Sequence, residues 1–133
     1  MRRVLVSHNA PSFSRSPLSP GIETEQFVFA VGMAVDEQTG TRMEAAVTVE
    51  DETRICLGAL DAVLKEAGCS LRDVVKTTVY LAAPEHYEPM NTAYRKYWNE
   101  GEEPVRCSLF VGLGADCRVE IDAVAVKRSA KPP

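Results

Sequence analysis

The sequence predicts an α+β fold in which two helices cover one face of a mixed β-sheet. Two patterns lead to this prediction. Several segments alternate apolar and polar residues as half-buried strands do, and two longer segments repeat apolar residues every three or four positions, as amphipathic helices do. The order is strand, strand, a weak third strand, helix, strand, helix, strand and strand. This order favours a sheet with its helices on one side.

The size and charge of the chain limit its organisation and its partners. With 133 residues, 45% of them hydrophobic, the chain suits a single domain over 1–133, and we expect its last residues, 127–133, to form a frayed tail. The formal net charge of -4 argues against a nucleic-acid partner and against a membrane surface. The apolar run after the two N-terminal arginines is too short for a signal peptide, so we expect a cytoplasmic protein.

The cysteines and histidines do not form a metal-binding pattern. Four cysteines are present without a C-x-x-C pair, and the two histidines lie far from them in sequence. The pattern favours reduced, structural thiols over a zinc site. We therefore expect no metal.

The first third of the chain predicts two strands and a weaker third one, over 2–6, 26–35 and 42–48. Between the first two lies a loop, 7–21, whose prolines and serines exclude regular structure and whose length is typical of functional loops. The second strand is expected to bend at Gly32. Turn-forming residues at 36–41 then predict a hairpin.

A helix is predicted over 50–67, ending before Gly68, a residue suited to a helix C-terminus. Its apolar face contains Thr53, Cys56, Leu60, Val63, Leu64 and Ala67. A short turn follows, in which Ser70 can act as a cap and Asp73 lies three residues further on. The next segment, 74–82, alternates β-branched residues and predicts a strand.

The second helix is predicted over 84–100, with Pro89 near the first turn of its main part. Its apolar band is expected to pack into the core and contains Met90, Ala93, Tyr94, Tyr97 and Trp98. Two final strands, 106–113 and 117–126, are joined through the short segment GLGAD. The sheet face that the helices leave uncovered is substantially apolar, and this predicts self-association.

Charged residues in the last two strands are candidates for chemistry. Arg106 stands at the entry of an apolar strand, where it either extends to the surface or binds an anion. Glu120 and Asp122 alternate with apolar residues, so both point to one face, where solvation alone could account for Asp122. Because a short connection joins the strands of Arg106 and Glu120, we expect these strands to pair as neighbours and to place both charges in one cleft.

Two other motifs carry less weight. Gly112 and Gly114 have no third glycine at the spacing of a dinucleotide-binding loop, and a strand follows them instead of a helix. These glycines therefore predict a turn. No serine has the sequence context of a nucleophile elbow, so a serine hydrolase is not predicted.

Six blocks of the sequence resemble one known family. The blocks are NAP (9–11), TG (39–40), AGCSLRDVVKTTVYL (67–81), MNTAYRKYW (90–98), PVRCSLFV (104–111) and VEIDAVAV (119–126). In this order, across nearly the whole chain, they look like the signature blocks of the RidA family, also called YjgF, the reactive intermediate imine deaminases. The resemblance implies a chorismate-mutase-like α+β subunit, a homotrimer with three clefts at its subunit interfaces, and hydrolysis of enamines or imines to 2-oxo acids and ammonia.

The resemblance also implies roles for single residues. Arg106 matches the arginine that holds the substrate carboxylate, and Glu120 matches the acid that positions or activates the water. Asn91 matches an asparagine of the cleft, and Gly32 falls in the strand whose backbone lines the pocket. An iminium carbon is already a strong electrophile, so we expect no cofactor.

The sequence departs from the family pattern around this pocket. Where the family typically has G-P-Y-S-Q, this chain has SPLSP, so that Leu18 replaces a tyrosine of the cleft and Pro20 replaces a glutamine. The S-G-Q-I block is VGMA at 31–34. The cysteine common two residues after the arginine is replaced by Ser108, and Cys107 falls on the other face of the strand. These changes point away from the small 2-aminoacrylate and toward a bulkier or more apolar imino acid.

These residues support one leading function and two rivals. In the leading hypothesis Arg106 clamps the substrate carboxylate and Glu120 takes a proton from the attacking water. The first rival is a non-catalytic protein that binds a small carboxylate, such as a 2-oxo acid, in the same cleft, and Leu18 favours it. The second is a ribonuclease, an activity sometimes attached to the family, which the acidic charge balance and the absence of a basic, aromatic groove disfavour.

Overall fold

The described part of the chain, residues 1–128 of a computed structural model, contains eight strands and two α-helices. In chain order they are β1 (Arg3–Leu5), β2 (Gly21–Glu23), β3 (Phe27–Met33), β4 (Val35–Asp36), β5 (Thr41–Arg42), α1 (Val49–Lys65), β6 (Val74–Leu81), α2 (Tyr87–Tyr94), β7 (Val105–Phe110) and β8 (Val119–Val126). Short 3₁₀ segments precede β6 and flank α2, at Leu71–Asp73, Pro84–His86 and Arg95–Tyr97.

Six of these strands form one mixed sheet in the order β1-β2-β3-β8-β6-β7. All neighbouring strands are antiparallel except β6 and β7, which are parallel and are connected through α2. Strands β4 and β5 form a separate two-stranded hairpin. The helices pack on one face of the sheet, as the sequence predicted, and the α+β class is confirmed.

Three details of the first third of the chain differ from the prediction. The predicted loop 7–21 ends in β2, a strand too short to show an alternating pattern. The weak strand predicted over 42–48 is wrong, because β5 stops at Arg42 after pairing only with β4. The expected bend at Gly32 is also wrong: β3 stays paired with β8 through Met33, and the strand is interrupted at Ala34.

Helix α1 packs its predicted apolar face against the sheet. Thr48 caps its first turn, accepting a hydrogen bond from the Asp51 backbone N–H while the Asp51 carboxylate accepts one from the Thr48 N–H. Gly68 ends the helical region at a positive φ of 74°. Between these ends the fully buried side chains include Cys56, Leu57, Leu60, Val63 and Leu64.

Gly32 permits the close approach of α1 to β3. A Cβ at this position would lie 2.2 Å from the carbonyl oxygen of Cys56, well inside van der Waals contact. The absence of a side chain therefore determines how near the helix axis comes to the sheet. This is a packing role on the helix-covered face.

The outer face of the sheet, defined here as the face opposite the helices, is apolar and exposed. It presents Val4, Phe27, Phe29, Val105, Leu109 and Val126, with exposed fractions from 39% to 65%. Phe29 pairs with Val124, and Phe27 with Val126, so these apolar residues adjoin one another across neighbouring strands. The sequence predicted such a face, and self-association remains a prediction that follows from it.

The predicted frayed tail, 127–133, lies mostly outside the described residues, which end at 128. The first two residues of that segment are held in place: Lys127 forms an ion pair with Glu23 at 2.6 Å and Arg128 one with Asp73 at 2.8 Å. No helix within residues 1–128 has the length and apolar character needed to cross a membrane.

Candidate functional site

Arg106 lies on the edge strand β7, with its side chain on the helix-covered face. Its guanidinium carbon is 4.8 Å from the ring centre of Tyr94 and 5.7 Å from that of Tyr87, and Nη2 donates a hydrogen bond of 3.2 Å to the Tyr87 hydroxyl. The two tyrosines hold the planar cation by stacking and hydrogen bonding. Among residues 1–128, no carboxylate lies within ion-pairing distance of it.

Asn91 and Arg106 line one cavity of about 230 Å³ between α2 and the start of β7. Glu103 also lines it, but its carboxylate accepts a hydrogen bond of 2.9 Å from the Gly101 backbone instead of binding the arginine. The fold therefore brings together two of the predicted substrate-binding residues. A partly buried arginine without a carboxylate partner is suited to an anionic ligand.

The tyrosines around Arg106 were not predicted as site residues. The sequence placed Tyr94 in the core band, and it is indeed buried, with its hydroxyl 2.8 Å from Thr77 Oγ1. Burial raises the pKa of Tyr94, so its hydroxyl remains protonated at neutral pH. The seven-residue spacing of Tyr87 and Tyr94, which puts both on one face of a helix, is the sequence signal that identifies this pair.

Glu120 lies near the start of β8 on the outer face, half-buried between Met33 of β3 and Tyr80 of β6. Burial raises the pKa of Glu120 above its ordinary value, and the neighbouring Asp122 raises it further. Asp122 is not simply solvated, since it accepts a hydrogen bond of 2.9 Å from the Tyr80 hydroxyl. A carboxyl group with a raised pKa can exchange protons at a higher pH than an ordinary glutamate.

The start of β8 is anchored by a buried carboxylate on α1. Glu52 is fully buried, accepts hydrogen bonds from the backbone N–H groups of Arg118 at 2.7 Å and Val119 at 3.0 Å, and forms an ion pair with the Arg118 side chain at 2.7 Å. Since Glu120 is the next residue along, these bonds determine where its carboxyl group lies.

The predicted pairing of the strands of Arg106 and Glu120 is wrong. Strand β6 lies between β7 and β8, and Thr77 of β6 is opposite Arg106 on one side and Ala123 on the other. Residues opposite one another across a sheet share a face, so Arg106 lies on the face of Ala123 and opposite to the face of Glu120. Within one chain the two charges do not share a cleft.

Leu18 lies at a second cavity, of about 260 Å³, formed by the N-terminal loop, β3, β4 and the loop before β8. Its side chain is 49% exposed. Met33 also lines this cavity and is the residue directly opposite Glu120 on the neighbouring strand. Met33 therefore links this cavity to Glu120, which does not itself line it, and the cavity is separate from the one at Arg106.

The remaining predicted residues divide between the two faces. Ser108 shares the face of Arg106. Cys107 is exposed on the outer face, as the sequence predicted from its position next to Ser108 on the strand. Gly32 lines neither cavity, because it faces α1. The pocket role that the family resemblance implies for the backbone at Gly32 stays a prediction.

The thiols do not form a metal centre. Within residues 1–128, no group of three or more histidine, cysteine, aspartate or glutamate residues is arranged to hold a metal ion. Three of the four cysteines, Cys56, Cys69 and Cys117, are buried. Burial raises the pKa of Cys117 to about 11 and also raises that of Cys56, so both stay protonated and unreactive at neutral pH.

Comparison with known proteins gives a consistent result along the chain. A family model described as Endoribonuclease L-PSP matches residues 8–127. A RutC family protein of Pyrococcus horikoshii is 36% identical over 129 residues, which cover 96% of this chain and 99% of that protein. The 2-iminobutanoate/2-iminopropanoate deaminase of Mus musculus is 32% identical over 96% of this chain and 93% of its own length.

Solved structures share the fold over almost the entire chain. The crystal structure of Escherichia coli TdcF with bound serine superposes with a TM-score of 0.82 at 27% sequence identity. The match covers 95% of this chain and 99% of TdcF.

Proposed function

The chain belongs to the Endoribonuclease L-PSP family, the YjgF/RidA family that its motifs resemble, and from this premise we propose that it hydrolyses 2-imino acids to 2-oxo acids and ammonia. Its relatives include the 2-iminobutanoate/2-iminopropanoate deaminase of Mus musculus, which is 32% identical over 96% of this chain. The reaction itself is argued below from the residues of this chain.

The proposal rests mainly on the surroundings of the Arg106 guanidinium. Its guanidinium is fixed on two tyrosines, faces a cavity with Asn91, and has no carboxylate partner among residues 1–128. The planar fork of an arginine matches the two oxygens of a carboxylate, which every 2-imino acid carries. Such a charged hydrogen-bonded contact contributes roughly 1.5–3 kcal/mol to binding.

We assign the proton transfers to Glu120. In the proposed reaction its carboxylate takes a proton from a water molecule while the water oxygen bonds to the iminium carbon. The protonated Glu120 returns this proton to the nitrogen of the resulting carbinolamine. The carbon–nitrogen bond then breaks as the hydroxyl group becomes the carbonyl and passes its proton to the departing ammonia. The products are a 2-oxo acid and an ammonium ion, Glu120 is again a carboxylate, and atoms and charge balance without a metal, redox partner or cofactor.

One chain alone does not assemble this site, since Arg106 and Glu120 lie on opposite faces of its sheet. We therefore propose that each site combines Arg106 of one subunit with Glu120 of a neighbouring subunit in a homotrimer. The exposed apolar outer face, on which Glu120 lies, supplies the surface for that association. This arrangement agrees with the interface clefts that the family resemblance implies.

A turnover assay on freshly generated imines tests the proposal. An amino-acid oxidase produces the 2-imino acid in the cuvette, and release of ammonia and 2-oxo acid is followed with and without the protein. We expect acceleration over the spontaneous hydrolysis for at least one imino acid. No acceleration for any member of a panel of small and bulky imino acids would overturn the proposal.

A second candidate function is supported by Leu18, which replaces a hydroxyl-bearing residue of the family cleft. In this alternative the cleft binds a small carboxylate, such as a 2-oxo acid, without catalysis. The same panel separates the two functions: a binding protein shows saturable 2-oxo acid binding by calorimetry but no turnover. The ribonuclease activity in the family description is disfavoured by the net charge of -4.

A further inference from the structure

The cavity at Leu18 is mostly apolar, and its wall includes Met33, the residue opposite Glu120. Its apolar lining consists of Phe13, Leu18, Met33, Val35 and Ala115. Its volume of about 260 Å³ is many times the roughly 30 Å³ share of one water molecule, so a substrate with a methyl side chain leaves most of it hydrated. Apolar walls around water are a free-energy cost that a larger apolar group removes.

One residue of the cavity wall is a neighbour of Glu120, the residue proposed to act at the reacting carbon of the substrate. Met33 is directly opposite Glu120 across the β3–β8 pair, and its side chain forms part of the cavity wall. Leu18 lines the same cavity. When the reacting carbon of the substrate lies at Glu120, its side chain can extend along Met33 toward Leu18. The carboxylate on the same carbon is bound separately, by Arg106 of a neighbouring subunit.

Two charged residues, Glu37 and Arg15, lie in the lining of the cavity. Glu37 accepts hydrogen bonds from the backbone N–H and the hydroxyl of Ser12, and these bonds lower the pKa of Glu37 and keep it ionised. Arg15 is the other charged residue of the lining. Most of the cavity surface is apolar, and the apolar walls are the main determinant of what fits.

From this geometry, and resting on the proposed function, we infer that the Leu18 cavity binds the side chain of the substrate and selects 2-imino acids with branched aliphatic side chains. Leu18 and Met33 are the specificity-determining residues. One methylene in an apolar pocket changes kcat/KM by about tenfold or more, so a four-carbon side chain gains a large advantage over a methyl group.

The experiment compares kcat/KM for 2-imino-4-methylpentanoate and 2-iminopropanoate, both generated in situ from their amino acids. The wild-type protein is expected to favour the branched substrate by at least about tenfold. Leu18→Tyr narrows the cavity and adds a polar group, so we expect it to lower the ratio of the two kcat/KM values by about tenfold. Val47→Tyr, a similar change at an exposed loop residue outside the cavity lining, is the control.

A second variant keeps the inference testable if Leu18→Tyr does not fold. Met33→Ala enlarges the cavity on the side of Glu120. We expect this variant to raise kcat/KM for larger, aromatic 2-imino acids relative to kcat/KM for 2-imino-4-methylpentanoate. A wild-type preference for 2-iminopropanoate, or a ratio that neither variant changes while both fold, overturns the inference and leaves imine hydrolysis intact. Absence of turnover with every imine overturns the proposed function instead.

Discussion

The side chains of Arg106 and Glu120 project from opposite faces of one sheet. Strand β6 lies between their strands, β7 and β8, and pairs with both. The arginine faces α2, where two tyrosines hold it, while the glutamate lies on the outer face between Met33 and Tyr80. If both act on one substrate molecule, they come from different subunits. The first prediction follows directly from this arrangement.

Mixing two inactive variants should restore activity. Arg106→Ala and Glu120→Gln are each expected to lose most imine hydrolysis while remaining oligomeric. When the two are unfolded together and refolded, some sites receive the intact Arg106 of one subunit and the intact Glu120 of another. Random assembly of such a symmetric oligomer gives about a quarter of the wild-type activity.

The control for the mixing experiment is each variant refolded alone, which is expected to stay inactive. Sedimentation or light scattering establishes whether the mixed species are oligomers. Mixed oligomers without recovered activity would show that Arg106 and Glu120 do not combine across a subunit interface.

The planar guanidinium of Arg106, and not its charge alone, should be required. A lysine at this position keeps the charge but cannot bind a carboxylate through two parallel bonds or stack on Tyr94 in the same way. We expect Arg106→Lys to lower kcat/KM at least about tenfold, which corresponds to losing a contact of about 1.5 kcal/mol. Arg72→Lys, a change outside this cavity, is the matched control, and near-normal turnover by Arg106→Lys would contradict the clamp.

The pH dependence should report the raised pKa of Glu120. A general base acts in its ionised form, so kcat/KM is expected to fall as the pH decreases through a pKa that lies above the ordinary 4.5. Asp122→Asn removes one of the two causes of that increase and should move the acidic limb of the profile to lower pH. Glu88→Gln, an exposed change on α2, should leave the limb where it is.

The same raised pKa makes the contribution of Glu120 to stability depend on pH. Because the folded-state pKa of Glu120 lies above the unfolded value, its protonated form favours folding, and this contribution is lost as the pH rises through the folded pKa. Glu120→Gln should therefore have a higher Tm than wild type at neutral pH and little advantage at low pH. A lower Tm of the variant at neutral pH would contradict the assigned burial of this carboxyl.

Two glycines offer a matched test of the packing of α1. Gly32→Ala places a Cβ 2.2 Å from the Cys56 carbonyl oxygen, and we expect it to destabilise the protein by about 1–3 kcal/mol. Gly58 lies within α1 with no atom within 4 Å of an added Cβ, so Gly58→Ala should stabilise by about 0.4–1 kcal/mol. Urea unfolding midpoints measure both, and equal stability of the two variants would show that α1 does not approach β3 as closely as described.

Much of the fold was predictable because its signals are local. The apolar spacing over 50–67 identified α1, Gly68 marked its end, and the β-branched run over 74–82 identified β6. The alternation around Arg106 and Ser108 correctly assigned them to one face and Cys107 to the other. Short elements such as β2 were missed, since three residues cannot display a period.

The sequence by itself determined the type of each main element and which residues of each strand share a face, because both depend on neighbours within a few positions. It also determined the family, through blocks spread along nearly the whole chain. The order of strands was decided only by the tertiary structure. The segment joining β7 to β8 is short, yet β8 pairs with β3 and β6, since partners are chosen by the packing of whole strands and not by the length of a loop. That choice separates Arg106 from Glu120 by a strand and a sheet face, and it is the reason that the proposed site needs two subunits.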